Sequence, residues 1–251
     1  MSNVALRSLV IDARNLDRLG LDGPALKVVM RGKSPILFPL RRLCRVHLIG
    51  MPNQGMEALM HCAEQNIPVA FFRLNGQIRC TLQKPQLERA QLDHWFEHVE
   101  FDPEVQQLYN DWRQHQALHA LAQLGFNRGD GAVRQQLVYE ALRGVCRSRL
   151  GKDMFGTALE WLDGLMTFHL LQVVEQFGFT HPRAKQLLLQ DIKPIADLGL
   201  LYAFTRHVQA SATFRVTPRS MTVFYQDNAQ VLEYGFRRML SQLTMRLEAV
   251  I

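Results

Sequence analysis

The sequence predicts an α+β fold in which a small β-rich N-terminal domain precedes a larger all-α domain. Up to residue 84 the apolar residues occur in short runs separated by Gly, Pro and Asp, which is typical of strands. After residue 85 they recur every three or four positions, which is typical of amphipathic helices. We therefore predict a β-rich domain over residues 1–84 and a helical domain over residues 85–251.

The first domain is predicted to hold one helix and six strands. Asn75 and Gly76 separate two apolar runs, a strong signal for a tight hairpin turn with positive φ at both residues. Met56, Leu59 and Met60 fall on one helical face, which predicts a helix within residues 52–66. The strands are predicted at residues 8–12, 25–30, 36–40, 46–50, 67–74 and 77–82.

The second domain is predicted to consist of helices separated by Gly and Pro breakers. Pro194 is expected to end or kink its helix, because proline lacks the backbone N–H and its ring collides with the preceding turn. The helices are predicted at residues 86–100, 103–124, 135–150, 154–177, 185–207 and 228–250.

Composition and charge narrow the class of protein. Of the 251 residues, 47% are hydrophobic and 21% are charged, so the chain can bury a core and is not a disordered one. The formal net charge is +6, and most of the basic residues are arginine. Because a guanidinium binds phosphate through two parallel hydrogen bonds, this balance favours a nucleic-acid-binding protein. An ordinary soluble surface explains the same charge without a partner.

The cysteines and the apolar runs bear on location. Cys44, Cys62, Cys80 and Cys146 lie far apart without a CxxC pair, which indicates neither a zinc site nor a disulfide framework. No run reaches the roughly 20 apolar residues that a membrane span needs. The first residues also lack the apolar stretch of a signal peptide. We therefore expect a cytoplasmic protein that does not engage a membrane.

A series of motifs, in a fixed order, resembles one known family. The N-terminal part holds VHLIG, the helix after it, the IPV strand and the NG turn. The helical part holds LRGVCRSR (142–149), GFTHP (178–182), LLLQDIKPIADL (187–198) and a closing segment (213–240). Together they resemble the CRISPR-associated protein one family, the DNA integrase that inserts spacers into CRISPR arrays for adaptive antiviral defence. The resemblance implies a homodimer formed through the β domain and association with CRISPR-associated protein two.

The resemblance also implies metal-dependent chemistry on DNA. The family's endonuclease and integrase activity uses a Glu, a His and an Asp with Mg²⁺ or Mn²⁺, a metal that offsets the charge developing on phosphate. Asp191 matches the Asp, whereas the Glu position holds Cys146, whose soft thiol is a poor ligand for Mg²⁺. His181 matches the His through GFTH, but an alternative alignment places it in the family's GLDP turn. Asp191 and His181 are thus the candidate catalytic and metal-ligating residues of a degraded triad, and a chain without the triad needs no metal.

Other candidates for chemistry have plainer interpretations. Four acids could complete a carboxylate set around Asp191, although solvated helix faces are the favoured explanation: Glu140, Asp153, Glu160 and Asp163. The helical spacing of Cys146 favours a buried structural cysteine over a thiol nucleophile. Two histidine pairs have the i,i+4 spacing of a metal-binding face but lack a third ligand, so we expect exposed helix residues: His94 with His98, and His115 with His119.

A basic cluster in the helical half is the strongest candidate for nucleic-acid binding. Its six basic residues face only two acids in the same stretch, and two of the six are four residues apart on one helical face. Such a surface would bind phosphates without reading base sequence, while a solvated basic face is the plainer alternative. The cluster comprises Arg128, Arg134, Arg143, Arg147, Arg149 and Lys152.

These features predict a DNA-binding subunit of spacer acquisition, an inactive or weakly active homologue that holds branched or duplex DNA beside a catalytically intact paralogue. An alternative is an active metal-dependent endonuclease or integrase with a site rebuilt around Asp191, His181 and a neighbouring acid. A third hypothesis, of a different class, is an interaction module that shares only the fold and binds no nucleic acid.

Overall fold

The structure is a computed structural model. It describes residues 7–84, 99, 101–126, 131–211 and 213–248, with the side chains of residues 131–134 and 248 outside the description. Most of the helix predicted at residues 86–100, together with His94 and His98, lies outside the described residues. A strand-rich region precedes a helical region, so the predicted α+β class is confirmed. No helix in the described part of the chain is long and apolar enough to cross a bilayer.

The chain divides into two compact units. The first comprises Met1–Pro85, Thr157–Leu165 and Thr217–Gln226. The second comprises Gln86–Gly156, Met166–Val216 and Asp227–Ile251. Two segments of the helical half thus group with the strands. The domain limits of 1–84 and 85–251 stay predictions.

The first unit carries the strands and a short helix. The helix, α1, spans Met56–Glu64. The strands are β1 (Arg7–Asp12), β2 (Leu16–Asp22), β3 (Ala25–Met30), β4 (Ile36–Pro39), β5 (Leu43–Ile49), β6 (Val69–Phe72) and β7 (Ile78–Leu82).

These strands form a four-stranded sheet and a three-stranded sheet. The larger has the order β1-β5-β6-β7, with β1, β5 and β6 parallel and β7 antiparallel to β6. Helix α1 makes the crossover that the parallel strands β5 and β6 require. The smaller sheet is an antiparallel meander of β2, β3 and β4. Fully buried Leu26, Val46, Leu59 and Phe71 belong to the core of this unit.

The sequence prediction missed strand β2. Of the residues in LDRLGLD only Leu19 is buried, while Asp17 and Arg18 are exposed. A strand with one buried residue lacks the alternation by which strands are recognised. Its pairing with β3 supplies the hydrogen bonds that hold it in place.

The predicted hairpin is confirmed, but its turn differs from the expected type. The N–H of Gly76 donates to the carbonyl of Arg73 at 3.0 Å, and among the non-glycine residues described only Asn66 has positive φ. Gly76 itself has a φ of 94°, a conformation open to glycine. The connection is therefore longer than two residues, and the prediction of positive φ at Asn75 is wrong.

This turn packs tightly within the first unit against the segment that contains Trp161 and Gly164. The rings of Phe72 and Trp161 are stacked with centroids 5.6 Å apart. A Cβ built on Gly76 would lie 2.6 Å from Cα of Trp161, and one built on Gly164 would lie 2.1 Å from the carbonyl oxygen of Gly76. Two glycines thus permit a backbone approach that no other residue allows.

Five long helices follow the strands in the described part of the chain. Their limits are close to the predicted ones except for the last helix, which begins ten residues earlier than expected. Proline suits the first turn of a helix, and the hydroxyls of Thr217 and Ser220 accept each other's backbone N–H groups at 3.1 and 2.9 Å. The helices are α2 (Pro103–Gln123), α3 (Gly131–Leu150), α4 (Lys152–Gln176), α5 (Pro182–Ala210) and α6 (Pro218–Glu248).

Helix α5 continues through Pro194, so of the two expected outcomes, an end or a kink of the helix, the end does not occur. A proline removes one backbone hydrogen bond, whereas burial of Ile192, Ile195 and Leu198 on either side stabilises the helical conformation. The side-chain amide of Gln135 in α3 also donates to the carbonyl of Pro194 at 3.2 Å. Tertiary contacts therefore outweigh the local signal.

A buried histidine links α4 and α6 within the second unit. Nε2 of His169, which is fully buried, lies 3.5 Å from Oε2 of Glu233, and Arg237 donates to Oε1 of the same carboxylate at 3.0 Å. The interaction with His169, aided by Arg237, lowers the pKa of Glu233 to about 2. Ionised Glu233 is therefore favoured by the folded state.

We expect the stabilisation by Glu233 to depend on pH. A lowered folded-state pKa stabilises the protein above the ordinary carboxyl pKa of 4.5, and this stabilisation is lost as the pH falls towards 2. Urea unfolding of the wild type and Glu233→Gln should therefore show a difference at neutral pH that shrinks on acidification. Glu140→Gln, at an exposed position, is the control. An equal difference at every pH would contradict the assignment.

Candidate nucleic-acid interface

Asp191 lies on α5 and is held by two residues of α2. Its Oδ2 accepts a hydrogen bond from the hydroxyl of Tyr109 at 2.7 Å, and its Oδ1 accepts one from Nη1 of Arg113 at 3.1 Å. Burial, followed by the charge of Asp191, raises the pKa of Tyr109. Tyr109 therefore stays protonated and donates permanently. Both carboxylate oxygens of Asp191 are engaged in tying α2 to α5.

His181 occupies the turn between α4 and α5 and caps α5. Its Nδ1 accepts a hydrogen bond from the backbone N–H of Arg183 at 3.3 Å, and its side chain is exposed. Asp191 follows ten residues later in the same helix, an axial rise of about 15 Å. The structure therefore does not bring the two candidate metal ligands within reach of one ion. The position of His181 agrees with the alternative alignment, in which it stands in the family's GLDP turn.

Cys146 on α3 is a buried structural residue, as the sequence predicts. It is fully buried, and its Sγ lies 3.2 Å from the hydroxyl of Thr205 on α5. Burial raises the pKa of this thiol, which leaves it protonated at neutral pH. Thr205 lies fourteen residues beyond Asp191, an axial rise of about 21 Å. The positions that the resemblance assigns to the Glu and the Asp are thus far apart.

The described residues do not assemble the metal centre that the resemblance implies. In that part of the chain no three His, Cys, Asp or Glu side chains converge as a metal site would require. Glu140 is exposed and lies 3.8 Å from Arg143, while Asp153 and Asp163 are also exposed. His119 contacts Arg238. The residues present therefore do not fit a Mg²⁺ or Mn²⁺ ion held by Asp191 and His181.

The predicted basic cluster lies along α3. Arg128 and the side chain of Arg134 lie outside the described residues. Arg143 is half-buried, with its guanidinium 5.5 Å from the ring centre of Tyr139. The last three members, at the C-terminal end of α3 and the start of α4, are exposed: Arg147, Arg149 and Lys152. Among the described members, the exposed ones therefore lie at the C-terminal end of α3 and the start of α4.

Helix α5 adds basic residues that the sequence analysis missed. Gln135 contacts Pro194 and Cys146 contacts Thr205, both at a separation of 59 residues, so α3 and α5 run in parallel. At that offset Arg206 lies at the same level along the helix axes as Arg147, and both are exposed. Two parallel helices end together, so their cations gather at one end, where the helix dipoles favour positive charge. Burial of Thr205 in the segment TRHV indicates that Arg206 faces outward. No local pattern, however, shows that α5 packs against α3.

Comparisons with known proteins agree with this architecture. Residues 12–118 match the family model described as CRISPR associated protein Cas1. The structure is similar to a Cas1 protein from Thermotoga maritima, with a TM-score of 0.72 and 13% identity over 96% of this chain and 97% of that chain. It is also similar to the TtCas1–DNA complex, with a TM-score of 0.64 and 15% identity over 96% and 91%. No curated protein sequence matches.

A third similar structure is a chain of a Cas6-RT-Cas1–Cas2 complex, with a TM-score of 0.57 and 14% identity. The match covers 99% of this chain and 35% of that longer one. At these identities the structural likeness establishes the fold, while the family model matches residues 12–118 of the chain. The two findings together confirm the resemblance to the Cas1 family of CRISPR-associated proteins that was predicted from the sequence.

Proposed function

We propose that this protein is an integrase-like DNA-binding subunit of spacer acquisition with weak or no catalytic activity. The observation that carries the proposal is the group of exposed arginines where α3 and α5 end, next to Cys146 and Thr205. At the position that the resemblance assigns to a metal-binding Glu, the chain has a buried, protonated thiol. The site therefore favours phosphate over a divalent cation.

Electrostatics explains why a thiol and nearby arginines, in place of a metal-binding carboxylate, suit DNA binding without cleavage. Arginine side chains neutralise phosphates and release counterions from DNA, which gives affinity without base recognition. A carboxylate in the same place would repel DNA unless a metal ion lay between them. Without a converging set of ligands, catalysis at Asp191 has no support from the described residues.

The proposal includes the partners expected from the family. The similar structures named above include a Cas1–DNA complex and a complex that contains Cas2. We propose that the chain binds duplex or branched DNA, associates with CRISPR-associated protein two and forms a homodimer. A catalytically intact paralogue would supply the chemistry. Cytoplasmic location and a dispensable Mg²⁺ or Mn²⁺ ion belong to the same proposal.

We expect the double variant Arg147→Gln/Arg206→Gln to bind DNA more weakly than the wild type. Each lost phosphate contact should reduce the slope of log K against log salt by about 1. Gel-shift titrations of an overhang duplex at several salt concentrations measure both the affinity and the slope. The matched control is Arg183→Gln, which removes an exposed arginine at the opposite end of α5. The proposed interface would be contradicted if the double variant and the control weakened binding equally, or if the wild type did not bind DNA at low salt.

Catalytic status is tested separately on supercoiled plasmid with Mn²⁺. The proposal expects no nicking above a buffer control. Nicking that disappears in Asp191→Asn, in protein shown to be folded, would instead support the alternative of an active nuclease with a rebuilt site.

A further inference from the structure

A cleft within the second unit shares no lining residue with the proposed interface and lacks an assigned role. It has a volume of about 270 Å³ and opens between α2, α5 and α6. Its walls include Leu124 from α2, Ile195 and Leu200 from α5, and Leu232, Phe236 and Met239 from α6. The cleft is therefore mainly apolar, as small-molecule sites usually are.

Two glycines leave the walls of the cleft open. A Cβ built on Gly199 of α5 or on Gly235 of α6 would meet no atom within 4 Å. Neither residue has a positive φ, so their backbones would accept other side chains. The space at the cleft therefore does not result from backbone geometry, and a larger residue at Gly199 would fill it.

The cleft has one charged lining residue, Arg238. Its Nη1 and Nη2 lie 3.0 and 3.1 Å from Nε2 and Nδ1 of His119. Burial, followed by the charge of Arg238, lowers the pKa of His119, so the imidazole is neutral at neutral pH. A neutral imidazole has only one acceptor nitrogen. At most one of the two contacts is therefore a hydrogen bond.

Some N–H groups of the Arg238 guanidinium consequently have no acceptor among the described residues. Its Nε is buried and has no hydrogen-bond partner within the described part of the protein. Its guanidinium is paired with an imidazole and not with a carboxylate among those residues. A partly desolvated cation without a counter-charge is costly, and an anion entering the cleft would relieve that cost.

We propose that this cleft binds a small amphipathic carboxylate, with its carboxylate on Arg238 and its apolar body against Leu200, Leu232 and Phe236. The planar guanidinium matches a carboxylate through two parallel hydrogen bonds. The apolar walls exclude ligands that are charged along their length. A cation of the same shape is rejected, because it would approach Arg238 without a counter-ion.

The test compares three ligands of equal chain length by isothermal titration calorimetry on the full chain. Octanoate is expected to bind, octanol to bind about tenfold more weakly for want of a charge-assisted hydrogen bond, and octylammonium not to bind. Arg238→Gln should lose about the same tenfold in octanoate affinity, while Arg238→Lys should retain part of it because the positive charge remains.

Filling the cleft provides a second test. Gly199→Leu is expected to abolish octanoate binding, whereas Gly156→Leu should not change it, because Gly156 is an exposed helical glycine that does not line the cleft. Octanol binding as tightly as octanoate, or octanoate binding to Gly199→Leu as to the wild type, would overturn the inference. Failure of the wild-type protein to bind octanoate would also overturn the inference. DNA titrations of the same variants stay at wild-type values, which separates this inference from the proposed function.

Discussion

Gly164→Ala is expected to destabilise the protein by about 2–3 kcal/mol, the usual cost of forcing an extra carbon into a packed interior. The new Cβ would lie 2.1 Å from the carbonyl oxygen of Gly76 and 3.2 Å from the ring of Phe72. A backbone carbonyl cannot swing aside as a flexible side chain can, so the turn after β6 must move. Urea unfolding followed by circular dichroism measures the loss.

The control for this substitution is expected to change the stability in the opposite direction. Gly156→Ala in the same helix adds a Cβ that meets no atom within 4 Å, and alanine is favoured over glycine in a helix by about 1 kcal/mol. Gly156→Ala should therefore stabilise slightly. If the two alanine variants were equally stable, the close approach of Gly76 and Gly164 would not exist in solution.

Asp191→Ala has the second large expected effect, a loss of about 2–3 kcal/mol of unfolding free energy. The substitution leaves the buried hydroxyl of Tyr109 without its charged acceptor, which is the main cost. The lost contact with Arg113 contributes less to this loss of unfolding free energy, because the Arg113 side chain is 46% exposed and water can replace the carboxylate. Asp191→Asn, which keeps an acceptor oxygen, should lose about 1 kcal/mol.

A double-mutant cycle separates this structural role from a catalytic one. If Asp191 acts through Tyr109, then Tyr109→Phe combined with Asp191→Ala should cost clearly less than the sum of the two single substitutions. Additive losses would show that the two side chains are not coupled. Unchanged stability in Asp191→Ala would restore Asp191 as a free carboxylate available to a metal ion.

Local patterns in the sequence predicted most elements of the fold. The hairpin near Gly76 and the helix over Pro103–Gln123 were predicted because turn residues and helical periodicity report on neighbouring residues. Strand β2 was missed since it buries only Leu19. The path of α5 through Pro194 depends on burial that comes from other helices.

In the candidate site, too, local sequence predicted some features, while others depend on contacts between distant residues. The spacing around Cys146 predicted its burial correctly, and the basic character of the end of α3 was visible in its arginines. The separation of His181 from Asp191 follows from the helix that begins immediately after His181 and runs through Asp191, whereas the sequence predicted that helix only from residue 185. The partnership of Asp191 with Tyr109 was not, because those residues are 82 positions apart.

The amino-acid sequence by itself determined the resemblance to the Cas1 family, the α+β class and the excess of arginine, since each depends on residue type and short-range order. Only the tertiary structure decided that α3 and α5 run in parallel and end together, and that Asp191 is bound by Tyr109 and Arg113. The physical reason is that side-chain packing sets the register between distant helices, and packing sums many weak contacts that no local pattern encodes.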